Sequence, residues 1–284
     1  MLQALIDDPA VGLEWSGCVV DAASGRRLAA QAPGRALSTA SVGKVLLLIE
    51  LARRFEAGEL DRSAPVERGH DTVADSGLWQ VMDAPSLGLA DAARLVGAVS
   101  DNLATNVLLD VVGLEAVAAT ARGLGLHDTA LLDRVRDVRG PEHPPVLSCG
   151  SAADLAALAA RLHRGEVVGR EVSAEVTGWL GLGSDLSMVA GEFGLDPLAH
   201  REPDRGVRLW NKTGTDVSVR ADVGVVASGE RALAYAVLAQ WRPDADPSVR
   251  DGVLHAMRET GRRLRGELAP GRVHRPSDRR GTGL

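Results

Sequence analysis

The chain has 284 residues, 45% of them hydrophobic and 25% charged, which excludes a disordered chain and suffices for one large domain or two modest ones. A formal net charge of −6 argues against nucleic acid as the main partner, and two cysteines exclude a disulfide scaffold. No apolar run reaches the length of a membrane span, because Val45–Leu51 is broken by Glu50.

The opening MLQALIDDPAVGLEWSG lacks the basic start, long apolar stretch and cleavage site of a secretion signal, so a cytoplasmic protein is expected. Residues 13–20 and 26–31 flank the turn-rich DAASG and read as a β-hairpin. Residues 40–54 read as a helix that is apolar on nearly every side, hence buried. Helices follow at about 90–98, 102–112, 114–123, 151–164 and 170–180. Strands are expected at 207–214, 219–227 and 231–240, with Ser228-Gly229-Glu230 as a hairpin turn, and a last helix at 247–266 opens after Pro247. The tail 267–284, rich in Arg, Pro and Gly, reads as disordered. Cys18 falls in a strand and Cys149 in a loop, and both read as packing residues in a reducing compartment.

A helical block thus interrupts a sheet. One catalytic domain over 1–266 is expected, with an α/β part (1–38 and 206–266), a helical part (39–205) and a cleft between them. Several chemistries are missing. Gly43-Lys44 is followed by Val45, so there is no Walker A loop, and no G-x-S-x-G elbow occurs. The seven histidines, at 70, 127, 143, 163, 200, 255 and 274, show no zinc spacing, so neither a metal nor a cofactor is expected.

Of the 32 Lys and Arg residues only Lys44 and Lys212 are lysines. An ammonium can lose its proton in an altered environment, whereas a guanidinium effectively cannot. Both lysines fall in suggestive triplets. Ser41-Val-Gly-Lys44 sets a hydroxyl and an amine three apart, on one face at the head of the buried helix. A desolvated lysine can take the serine proton, and the helix start supplies backbone N–H groups to an oxyanion; the bland alternative is an N-cap serine. Ser100-Asp101-Asn102 sits at a break between helices, where these residue types are also favoured caps. Lys212-Thr213-Gly214 lies on the first strand after the helical block, where Lys212 would attract a carboxylate; the alternative is a surface strand with a lone cation.

In this order, S-x-x-K, S-D-N and K-T-G resemble the penicillin-recognising serine hydrolases, closest to class A β-lactamases. The resemblance covers about residues 5–266. It implies an α/β (α+β) fold: an antiparallel five-stranded sheet flanked by helices, with an inserted all-helical sub-domain. It further implies Ser41 as the acylated nucleophile, Lys44 as the acylation base or its partner, and Ser100 as the relay to the leaving nitrogen. Asn102 would contact the substrate, and Lys212 and Thr213 would bind an acidic group, with Arg220 assisting. Backbone N–H groups of Ser41 and Thr215 would form the oxyanion hole, and Trp79 would wall the cleft.

One departure stands out. Where class A enzymes carry the Ω-loop glutamate that activates the deacylating water, Leu132-Asp133-Arg134-Val135-Arg136 puts Arg136, which cannot act as a general base. Glu142 or Asp137 could substitute only if the loop folds differently, so the acylation parts are complete while the deacylation part is missing. A class C route needs a tyrosine base, and the only tyrosine, Tyr235, stands in a late strand. The expectation is therefore a serine hydrolase or acyl-transfer enzyme acting on a small amide, lactam or ester substrate that can carry a carboxylate. The alternatives are a true β-lactamase and a binder without turnover.

Overall fold

The computed structural model describes residues 1–69, 73 and 76–269. The hairpin forms as β1 (Glu14–Asp21) and β2 (Arg27–Gln31), followed by the short β3 (Ala36–Ser38). A 3-10 turn, Ala40–Gly43, runs directly into α1 (Lys44–Glu56). Next come β4 (Pro65–Glu67), β5 (Ser86–Gly88), α2 (Leu89–Val99), α3 (Asn102–Val112) and α4 (Leu114–Gly123). The short strands β6 (Ala130–Leu131) and β7 (Ser148–Ser151) precede α5 (Ala152–Arg164) and α6 (Arg170–Leu180). The last elements among the described residues are β8 (Val207–Asp216), β9 (Val219–Ser228), β10 (Arg231–Gln240) and α7 (Pro247–Leu268).

The main sheet is five-stranded and antiparallel, in the order β2-β1-β10-β9-β8, so β8 is an edge. Strand alternation divides its side chains between two cores. On β10, Ala232, Ala234, Ala236 and Leu238 face the helical block, while Leu233, Tyr235, Val237 and Ala239 face α7 and the N-terminal segment. The alanines on the first face meet the alanine-rich α5, so helix and sheet approach closely. α1 is buried as its pattern predicts, and Glu50 does not break it. That carboxylate is bonded by Arg53, Arg54 and Thr120 and held well below the usual carboxylate range.

Three details differ from the sequence reading. Cys149 lies in β7, not a loop; β7 pairs with both β3 and β6. The helix expected from residue 40 starts with a 3-10 turn. Helix α7 continues to Leu268, past the expected boundary at 266, and the remainder of the expected tail, 270–284, lies outside the described residues, as do His70 and His274. Among the described residues no single helix is long and apolar enough to cross a membrane.

Candidate active site

Three chain segments meet at one cavity of about 650 Å³, whose walls include Ser41, Ser100, Asn102, Arg136, Lys212 and Thr215. The first is the turn before α1. Ala40 adopts a left-handed φ of 45°, uncommon and costly for a residue with a Cβ. Gly43 is required behind it, because a Cβ there would lie 2.3 Å from Ser148 Cβ. Ser41 is partly exposed on the cavity wall, while Lys44, one turn on, is fully buried.

The second segment is the α2–α3 junction, where the capping and chemical readings of Ser100-Asp101-Asn102 divide among the three residues. Asp101 is the structural member. Its Oδ1 accepts from Ala104 N at 2.8 Å and caps α3, and its Oδ2 accepts from Leu78 N at 2.7 Å and Trp79 N at 2.9 Å. Ser100, in left-handed conformation at the end of α2, and Asn102, the first residue of α3, flank it and turn to Lys44. Lys44 Nζ donates to Ser100 O at 2.7 Å and Asn102 Oδ1 at 2.8 Å, with Ser100 Oγ at 3.3 Å. Burial pushes this ammonium well below the usual lysine value; the Lys212 charge adds to the effect and Asp101 opposes it. Among the described residues no hydrogen bond joins Ser41 Oγ to Lys44.

The third segment is the edge strand β8. Lys212 Nζ donates to Ser100 Oγ at 2.9 Å and to Thr213 O at 2.8 Å. Burial lowers its pKa to about 8, against the opposing charges of Asp185 and Asp222. Gly214 allows β8 to touch the serine turn: a Cβ there would lie 2.1 Å from Thr39 O and 3.2 Å from Ser41 N. Alternate residues of an edge strand turn their N–H and C=O groups outward, and Thr215 shares this set with Thr213, whose carbonyl already accepts from Lys212.

Two residues expected at the site are elsewhere. Trp79 does not wall the cleft. It is a fully buried core residue whose indole N–H donates to Ala84 O. Arg220 is absent from the cavity wall and braces the β8–β9 turn, donating to the carbonyls of Asp216 at 2.6 Å and Val219 at 2.7 Å. Tyr235 points to the other face of the sheet and bonds Asp222, whose buried carboxyl is pushed up to about 6. On the loop that follows β6, Arg136 lines the cavity with its Nε 2.9 Å from Asp133 Oδ2. Asp137 also lines it, whereas Glu142 does not. Asp185 and Ser148 were missed by the sequence reading, since neither belongs to a triplet. Among the described residues no group of three or more His, Cys, Asp or Glu could hold a metal ion.

A comparison with curated protein sequences gives no match. Solved structures do match. A beta-lactamase from Sphaerobacter thermophilus DSM 20745 is 24% identical at a TM-score of 0.77, over 92% of this chain and 95% of that one. PBP-A is 19% identical at 0.77, over 94% and 93%. An ancestral class A beta-lactamase is 22% identical at 0.74, over 91% and 96%. At such identities the likeness establishes the fold, a class A β-lactamase fold. The family described as "Beta-lactamase enzyme family" matches residues 1–264. The chain therefore belongs to the beta-lactamase enzyme family and is a serine hydrolase of the kind that acts on amide and lactam bonds.

Proposed function

We propose that the protein forms an acyl-enzyme on Ser41 from a small amide, lactam or ester in the cytoplasm, and that it does so without an Ω-loop glutamate to discharge it. The observation that carries this reading is the Lys44 amine. It is buried, its proton is destabilised, and its two short hydrogen bonds are both to oxygen acceptors. A neutral amine donates two N–H groups to those acceptors and keeps a lone pair, which takes the Ser41 proton as the hydroxyl attacks the acyl carbon.

Ser100 then closes the proton path. Lys212 donates into Ser100 Oγ, so the Ser100 hydroxyl proton must point elsewhere. It passes to the leaving nitrogen while Lys44 returns a proton to Ser100. The N–H groups of Ser41 and Thr215 hold the oxyanion, and Lys212 and Thr213 attract an acidic group of the substrate. Asn102 orients Lys44 and faces the substrate from the cavity wall.

Arg136 supports slow discharge. It cannot take a proton from water, and its guanidinium is tied to Asp133. One observation favours faster turnover, and so a true β-lactamase: Asp137 puts a carboxylate on the cavity wall.

Intact mass measured over time with penicillin G, and with a chromogenic ester, separates these outcomes. The expected result is an adduct that persists on Ser41 and is lost in Ser41→Ala. Rapid release of hydrolysed penicillin would instead favour the β-lactamase, and no adduct from either probe would leave a non-covalent binder.

A further inference from the structure

We propose that Ser148, a residue of β7 outside the three triplets, is a positioning residue that strengthens the oxyanion donor of Ser41. The proposal rests on the reading of Ser41 as nucleophile. Ser148 is fully buried and grips the two residues before Ser41 by three hydrogen bonds. Its carbonyl accepts from Thr39 N at 3.1 Å, its hydroxyl donates to Ala40 O at 2.5 Å, and the Thr39 hydroxyl lies 2.6 Å from Ser148 Oγ.

A count of protons fixes the direction of this chain. Ser148 has one hydroxyl hydrogen and spends it on Ala40 O, so the Thr39 hydroxyl must donate to Ser148 Oγ. The order is Thr39 O–H to Ser148 O–H to the carbonyl of Ala40. That carbonyl and the N–H of Ser41 belong to one peptide unit. A hydrogen bond at the carbonyl end draws electron density away from the nitrogen and makes its N–H a stronger donor. Two buried hydroxyls are therefore in series with the group that meets the oxyanion. They also hold Ala40 in its left-handed conformation, which sets the direction of that peptide. Gly43 lets the turn close onto this side chain, since a Cβ there would lie 2.3 Å from Ser148 Cβ and 2.8 Å from its Oγ.

The test compares wild type with Ser148→Ala and Thr39→Val, the second nearly conserving volume. The readouts are acylation by p-nitrophenyl acetate, affinity for phenylboronic acid as a tetrahedral analogue, and the proton shift of the Ser41 amide. Removing a direct oxyanion donor costs on the order of 100-fold or more, so a donor acting through one peptide is expected to cost about tenfold for Ser148→Ala and less for Thr39→Val. The loss should fall on kcat with KM little changed, should appear equally in boronate affinity, and should accompany an upfield shift of the Ser41 amide proton. Wild-type rates in both folded variants would overturn the proposal, as would lost rate with unchanged boronate affinity. If Ser148→Ala does not fold, Thr39→Val decides. If wild type forms no adduct, the nucleophile reading fails, and the amide shift separately reports whether the hydroxyl chain polarises this peptide.

Discussion

Lys212 Nζ donates to Ser100 Oγ across 2.9 Å, so the edge strand and the α2–α3 junction are joined at the hydroxyl that also neighbours Lys44. A neutral amine could still donate to both Ser100 and Thr213, but the positive charge that attracts an acidic group of the substrate is one that burial lets go at about pH 8. The acylation rate should therefore fall as pH rises through 8, and Lys212→Arg should remove this alkaline limb. Unfolding would not mimic it. The folded value lies below the ordinary 10.5, so between those two values the unfolded chain binds more protons and the Lys212 contribution to stability rises with pH. A pH–rate profile with a parallel melting series checks both statements.

Lys44→Arg puts a permanent positive charge where the proposed mechanism has a neutral amine, and removes the ability to accept a proton. Adduct formation on Ser41 should drop by about three orders of magnitude or more, of the size seen when general-base catalysis is lost. Intact mass after a fixed incubation measures it. Retained acylation would show that the amine is a scaffold.

Arg136→Glu should shorten the life of the adduct at least tenfold, because under the proposed function a carboxylate would then stand on the cavity wall in the place of the Ω-loop glutamate. Asp133 keeps Arg139 as a partner, so the loop retains an anchor. Arg136→Gln, which breaks the same ion pair without adding a base, should leave the lifetime nearly unchanged. The decay of the acylated mass with time distinguishes them.

Gly214→Ala should destabilise the protein by about 2 kcal/mol and lower acylation, since the new methyl would meet Thr39 O at 2.1 Å and move β8 away from Ser41. Urea denaturation gives the first quantity and the acylation rate the second.

Most of the helices and all long strands were legible because they span enough turns or alternations to show their period; α3 and α4 have the expected bounds. The short strands β3 to β7 were not, since two to four residues carry no period and their pairing is set by tertiary contacts. At the site, the triplets led to Ser41, Lys44, Ser100, Asn102, Lys212 and Thr213 because the three segments are brought together by the fold the resemblance implied. Trp79 and Arg220 misled for different reasons. A tryptophan beside a flexible-looking S-G pair reads equally as wall or core, and burial decides. An arginine two residues past a tight turn has backbone carbonyls within easy reach, which no sequence pattern reveals. Ser148 was invisible because a serine in a short strand resembles any other.

The carboxylate of Asp101 starts α3 and also pins residues 78 and 79. Its two neighbours hold the Lys44 amine, so loosening that one anchor would release the proton path and the helix in the same event. Heating should then give no long-lived species that is folded but inert: loss of catalysis and loss of structure should trace one curve.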